Sequence, residues 1–250
     1  MSKLTTWMDR FLYPHQSDNW DDSCFRDKIL TYLERAWTIL DLGAGAGIVP
    51  LMNFRGRVER VVGVDPDPRV RTNPHLDLGS IGLGDDLPFP DATFDLVFAD
   101  NVLEHLSEPE IVFREIARTL KPGGYFLAKT PNRRHYVPLI ARMTPHWFHE
   151  WVNMRRGRCR EDSFPTLYKA NSSAAIGRHA SISGLAVEHI AFLEGRPEYL
   201  RKSTIPYLFG WIFERVVNSL PGLSQFRVVI IATLRKPMQA VTRDDSSLAA

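Results

Sequence analysis

Residues 38–47 read Thr-Ile-Leu-Asp-Leu-Gly-Ala-Gly-Ala-Gly. The first half is a short apolar run, the pattern of a buried strand. The second half is glycine-rich, which permits positive φ and lets a ligand touch the backbone. The following GIVPLMNFRGR, 47–57, has the pattern of a helix, with Pro50 tolerated in its first turn. Strand, glycine turn and helix in that order open an α/β unit. In an open α/β sheet, ligands bind beyond the carboxyl ends of the strands.

The rest of the chain extends the alternation. RVVGVD (60–65) and FDLVFAD (94–100) are strand patterns, and YFLAKT (125–130) is another. A short third strand is expected near Ser80–Leu83. Pro66, Pro68 and Pro74 leave room in 66–80 for little more than one helical turn. Phe25, Ile29, Leu30 and Leu33 recur at helical spacing over 25–36. Ser107-Glu108-Pro109-Glu110 has the S-x-x-E capping-box pattern and opens a helix that Pro122-Gly123-Gly124 would end. GLAVEHIAFLE (184–194) and FRVVIIATLRK (226–236) are the last strand patterns, with a helical stretch at 197–220 between them. Strands alternating with helices predict a parallel α/β sheet with right-handed crossovers.

Composition narrows the classes. Of 250 residues, 44% are hydrophobic and 24% charged, ample for a core and contrary to disorder as the main state. The net charge of +2 forces no nucleic-acid partner, and none is expected. Cys24 and Cys159 lie in unrelated contexts, which fits a reducing cytosol and argues against a zinc knuckle or disulfide framework; no metal site is expected. The N-terminal residues have no continuous apolar run of the secretory type. The longest uncharged apolar stretch, Ile205–Phe213, has nine residues, against the roughly 20 a spanning helix needs.

Two ligands suit the glycine turn: a dinucleotide and S-adenosyl-L-methionine. The dinucleotide fingerprint is GxGxxG. Here the spacing is GxGxG, and Ile48 stands where its last glycine belongs. Asp41, two residues before Gly43, attracts a cationic amino end and repels a pyrophosphate. Asp65 closes the next strand, where a carboxylate can accept both hydroxyls of a ribose.

With these residues in place, the chain resembles the class I, seven-strand S-adenosylmethionine-dependent methyltransferases. ILDLGAGAG (39–47) resembles their first motif and VVGVD (61–65) their second. LPFPDATFDLVFADNVLEHL (87–106) is similar to the run around their fourth strand. LKPGGYFLAKTPN (120–132) is similar to their helix–turn–fifth-strand passage. Beyond residue 133 the likeness is to the architecture, and more loosely to uncharacterised bacterial members of polysaccharide loci. The resemblance implies an α/β, Rossmann-like seven-stranded, mostly parallel sheet with helices on both faces. It divides the chain into an aromatic-rich N-terminal segment (1–24, a lid), the domain proper (25–236) with an acceptor-side insertion at 131–180 between strands 5 and 6, and a polar, disordered tail (237–250). It implies S-adenosyl-L-methionine as cofactor. Asp41, Gly43, Ala44 and Gly45 would line its methionine end, Asp65 would hold the ribose hydroxyls and Pro66 would flank the adenine. Asp100 and Asn101 would meet the methionine part. The family often places an acidic residue after the third strand, where this chain has Leu83. Asp85 is then the substitute two residues on.

The acceptor side has fewer landmarks. His105, His146 and His149 are candidate general bases for a hydroxyl acceptor. Each has an alternative reading as a packed or surface histidine. Trp147, Phe148 and Trp151 either wall an acceptor or pack a core. Residues 131–160 hold seven arginines against one glutamate. Such a cluster suits a phosphate or carboxylate, and equally a solvated face. The expectation is methyl transfer to a small-molecule or glycan acceptor, anionic and on oxygen. The rivals are a donor-binding scaffold and a nicotinamide-dependent oxidoreductase. The apolar stretch 199–220 fits a sheet-covering helix with a homodimer contact, or a peripheral contact with the inner face of a membrane.

Overall fold

In the computed structural model, residues 3–14, 19–143, 165–201 and 203–238 are described. Seven strands form one sheet: β1 (Thr38–Leu42), β2 (Arg60–Asp65), β3 (Leu78–Ile81), β4 (Phe94–Asp100), β5 (Leu120–Pro131), β6 (Ala186–Leu193) and β7 (Val229–Arg235). Their order is β3-β2-β1-β4-β5-β7-β6. All pairings are parallel except those of β7, which runs antiparallel to both β5 and β6. The order reverses between β1 and β4, so a crevice opens beyond the carboxyl ends of these two strands.

Alternation along the central strands builds two cores. Leu40, Leu42, Val97, Ala99, Phe126 and Ala128 face α3 (Pro109–Thr119) and, beyond it, α5 (Ser173–Ile182). Ile39, Val61, Leu96, Phe98 and Leu127 face Phe25 and Ile29 of α2 (Trp20–Leu30) and Phe54. Three further helices are α1 (Lys3–Leu12), α4 (Tyr136–Met143) and α6 (Thr204–Ser219). The mostly parallel α/β sheet expected from the sequence is therefore present.

Several local expectations are corrected. The helix expected over 47–57 is reduced to a single 3-10 turn, Pro50–Met52. Val49, which precedes the proline, is extended at φ −105°, ψ 96°. Proline disfavours helical geometry in the residue before it, and the glycines at 47 and 56, both at positive φ, close off the segment on either side. The helix expected at 25–36 instead runs Trp20–Leu30, and Lys3–Leu12 of the aromatic-rich N-terminal segment is a helix that no pattern had signalled. The Ser107 capping box does not form, because the N-cap is Glu108, whose side chain makes no cap bond. Pro122-Gly123-Gly124 lies inside β5 instead of ending a helix. A register shift between Phe94 and Leu96 absorbs the extra residues. β3 begins at Leu78 instead of near Ser80, because Asp77 fixes its start: the Asp77 amide donates to the Val61 carbonyl (2.8 Å) and its carboxylate accepts the Val61 amide (2.9 Å). The expected single turn in 66–80 is found as the 3-10 turn Pro68–Thr72. The polar tail from 239 onward lies outside the described residues.

Candidate functional site

The glycine turn adopts the conformation its composition permits. Gly43, Gly45 and Gly47 have φ of 81°, 50° and 72°. The Gly43 amide donates to the Val64 carbonyl at 2.8 Å, which ties the turn to the end of β2. A Cβ on Gly43 would meet Val102 at 2.4 Å, and one on Gly47 would meet Asn73 Oδ1 at 2.3 Å. Over Gly45 the space is open: the nearest atom to such a Cβ is Asp65 Oδ2 at 3.9 Å. Gly45 therefore forms the floor of a cradle whose wall is a carboxylate.

Asn73, which the sequence reading passed over, holds this turn in place. It is buried, and its Nδ2 donates to the carbonyls of Ala44 (2.9 Å) and Gly45 (3.2 Å). Its Oδ1 accepts the His75 amide at 2.8 Å. The Asn-Pro pair had signalled only a helix break.

Asp65 closes β2 with 8% exposure. Its Oδ2 accepts the Gly45 amide at 2.9 Å and its Oδ1 the Asp67 amide at 2.8 Å. Burial raises its pKa, and these two backbone bonds pull it back down. Each oxygen retains a further lone pair, so the carboxylate is oriented and can still accept. Pro66, Leu83 and Asp85 are exposed beside it. The Gly82 amide donates to the Asp65 carbonyl at 3.2 Å, which keeps the 82–86 loop next to this strand end.

Asp41 is the next-to-last residue of β1, and Asp100 closes the neighbouring β4. Asp41 is buried, and its pKa is raised well above the ordinary range by burial, then by the charges of Asp100 and Asp65. Asp100 is pushed up to about 6, first by burial, with Lys129 opposing and Asp22 and Asp21 adding to the rise. Lys129, across the register on β5, has a fully buried side chain and lies 2.9 Å from Asp100 Oδ1. It also bonds Asp21 Oδ2 at 3.1 Å and Asp22, both in the first turn of α2. Burial pulls its pKa down, but the three carboxylates outweigh that and raise it. Lys129, Asp21 and Asp22 were not singled out from the sequence; a lysine inside a strand pattern carries no visible partner 107 residues away. Asn101 follows at φ 54°, exposed, with its amide donating to the Lys129 carbonyl (2.9 Å) and its Nδ2 to Asp100 (3.0 Å).

On the other side of β4, Glu104 is buried at 5% exposure. It accepts from Thr130 Oγ1 (2.9 Å), which in turn accepts from Asn171 Nδ2 (2.5 Å). Burial raises the pKa of Glu104. His105 Nδ1 lies 3.0 Å from the Pro165 carbonyl. A carbonyl only accepts, so this contact requires the proton on Nδ1. At the start of α4, buried His135 places Nε2 3.4 Å from Glu194 Oε2. Burial drives His135 down to about 3 and Glu194 up to about 8, so both are neutral at pH 7. His146 and His149 lie outside the described residues, as do Trp147, Phe148, Trp151 and Arg155, Arg156, Arg158 and Arg160. Arg133 and Arg134 are exposed at the end of β5.

The crevice thus joins Gly43–Gly45 with Asp41, Asp65 and Asp100. Such a donor set fits a nucleoside that carries positive charge at one end, and it repels a pyrophosphate. The sequence profile of the family described as "Methyltransferase domain" matches residues 40–128. A protein of Mycolicibacterium gilvum named an uncharacterised methyltransferase is 34% identical over 215 residues, 81% of this chain and 77% of that one. A protein of Mycolicibacterium smegmatis named a probable S-adenosylmethionine-dependent methyltransferase is 37% identical over 105 residues, 40% of each chain. For this and the first mycobacterial relatives matched, the aligned part spans only 36–40% of their length. The crystal structure of the YcgJ protein of Bacillus subtilis superposes with a TM-score of 0.53 at 19% identity, over 87% of this chain and 99% of that one.

Proposed function

The chain belongs to the class I S-adenosylmethionine-dependent methyltransferases, and we propose that it moves the donor's methyl group to an oxygen of a small-molecule or saccharide-like, anionic acceptor. The observation that carries this reading is the open space over Gly45 facing the Asp65 carboxylate, with Asp41 and Asp100 on the adjoining strand ends. The Asp65 oxygens, already oriented by two backbone amides, accept the ribose hydroxyls. Asp41, Gly43, Ala44, Gly45, Asp100 and Asn101 receive the methionine end, and Pro66, Leu83 and Asp85 border the adenine. When bound, the donor supplies a methyl carbon made electrophilic by a sulfonium.

The task of the chain is then alignment and proton handling. Holding two reactants in line contributes up to about 7–11 kcal/mol to such a displacement. His105, which follows β4, is a candidate to take the acceptor's proton. His146 and His149 are further candidates for that role. The arginines of 131–160 orient an anionic group on the acceptor. The segment 1–24, whose Asp21 and Asp22 reach Lys129, serves as a lid.

We also place the reaction in the cytosol, in keeping with the two unpaired sequence contexts of Cys24 and Cys159. Among the described residues, no helix is long and apolar enough to cross a membrane. The apolar stretch 199–220 makes peripheral contact with the inner membrane face, which brings lipid-linked acceptors within reach. A second reading, a donor-binding scaffold without turnover, is favoured by the loss of the helix after the glycine turn.

The test is transfer of label from methyl-labelled donor to a panel of hydroxyl acceptors, beginning with phosphorylated and carboxylated sugars. Label on an anionic sugar supports the reading. Donor binding with no transfer to any acceptor favours the scaffold.

A further inference from the structure

We propose that α1 and α6 together form a docking face for an anionic lipid surface, resting on the membrane contact read for 199–220 but extending it to a second helix and a lipid charge. The two helices are turned inside out. On α1, Thr5 and Asp9 are buried, whereas Leu4, Trp7 and Phe11 are exposed at 51%, 58% and 69%. Trp7 and Phe11 stack on each other with ring centroids 5.3 Å apart. On α6, Tyr207, Gly210, Glu214 and Val217 face inward. Its outer stripe is Ile205, Leu208, Phe209, Ile212 and Val216, with Phe209 at 69% exposure. Exposed apolar residues scattered singly need no explanation, but two adjoining helical stripes of them do.

The acids of the pair are the reason for this orientation. Asp9 accepts from Tyr207 Oη at 2.6 Å and pairs with Arg201 at 2.7 Å. Tyr13 Oη donates to Glu214 at 2.9 Å. Both carboxylates are thus spent holding α1 on α6 and are hidden from any partner. Among the described side chains of the two helices, Arg10 and Arg215 are the exposed charged ones; Arg215 lies 3.3 Å from Glu214 and over the Tyr13 and Trp211 rings, which leaves Arg10 as the cation with no carboxylate of these helices beside it.

That charge chooses the occupant. An isologous contact with a second copy would bring a second Arg10 to the same face, with no exposed acid among the described residues of these helices to answer it. An anionic headgroup layer answers it directly, while the apolar stripes and Trp7 enter the acyl boundary. The face also adjoins the acceptor side. Phe213 of α6 lies 5.4 Å from the His135 ring and 4.9 Å from the Tyr136 ring, at the start of α4.

The experiment is flotation of the full chain with vesicles of phosphatidylcholine and phosphatidylglycerol, against vesicles of phosphatidylcholine alone. The expected preference for the anionic vesicles is about fivefold for the one cation without a carboxylate beside it, declining as salt rises. Ile205→Ser with Phe209→Ser should lower partitioning by at least about tenfold, while binding of S-adenosylhomocysteine and the melting temperature stay unchanged. Should that double variant not fold, Arg10→Glu alone must reduce the preference for anionic vesicles. Equal partitioning to both vesicle types would overturn the anionic assignment. No partitioning, or partitioning indifferent to the substitutions, would overturn the face itself. A dimer in sedimentation that Phe209→Ser dissociates, with no vesicle binding, would give the face to a second copy. None of these outcomes depends on methyl transfer, and failure to bind S-adenosylhomocysteine would leave the vesicle result standing.

Discussion

The carboxylates at the strand ends are arranged for a ligand at the expense of the ligand-free protein. Asp41 is held at a raised pKa by burial and by the charges of Asp100 and Asp65. Asp41→Asn should therefore melt higher than the parent chain and bind S-adenosylhomocysteine more weakly, two opposite movements that a merely structural carboxylate would not give. Asp65→Ala should weaken the same ligand by at least about tenfold, since charge-assisted bonds to hydroxyls contribute roughly 1.5–3 kcal/mol. Its melting temperature should fall little, and unchanged affinity would refute the ribose assignment. Both aspartates were legible in the sequence, because Asp41 lies two residues before the glycine turn and Asp65 closes a strand pattern before a proline. Asn73 was not. Its role depends on a return of the chain from residue 73 to the carbonyls of Ala44 and Gly45, and no spacing records that contact. Asn73→Ala should loosen the turn and weaken the donor by roughly tenfold, read by the same titration.

At the level of elements, periodicity located the strands and the helices α3 and α6, and misjudged the helices nearest the N-terminus and the glycine turn. RVVGVD and FDLVFAD match β2 and β4 to the residue. Their side chains are buried on both faces, so the apolar run is continuous and its ends are sharp. The segment after the glycine turn failed for the opposite reason. Its apolar residues recur at helical spacing, but Pro50 at its start extends Val49 and the flanking glycines cap it at one short turn. The N-terminus failed because α1 buries its polar residues and exposes its apolar ones, so its stripe points away from the core. Besides the packing of Phe25 and Ile29, α2 is tied to the sheet by charge: Lys129 reaches Asp21, Asp22 and Asp100. Lys129→Met should destabilise by about 3–5 kcal/mol, because it leaves buried carboxylates without their cation. Denaturant unfolding measures it.

For the whole molecule, the buried pair His135 and Glu194 sets a pH window. Glu194 is raised from 4.5 to about 8, so the folded chain holds a proton there that the unfolded chain releases. That stability is complete below about pH 4.5 and is lost as pH rises through 8. His135 is lowered from 6.5 to about 3, so its contribution runs the other way, present above 6.5 and lost as pH falls through 3. The two offset each other between pH 4.5 and 6.5. From pH 6.5 to 8 only Glu194 of this pair titrates, and its own contribution falls by at most about 1.4 kcal/mol per pH unit. Thermal melts across that range check this, and Glu194→Gln should flatten the slope. Donor affinity should weaken on the acid side, because protonation of Asp100 near pH 6 removes a charge that faces the ligand. The sheet order, the crevice and the acidic cradle converge on one claim, that this chain binds S-adenosylmethionine at Gly43–Gly45 and Asp65. Calorimetric titration of the purified chain with S-adenosylhomocysteine, with NADH as control, tests it most directly. The account predicts saturable binding of the first alone, lost in Asp65→Ala. Binding of NADH in preference, or of neither ligand, would contradict it.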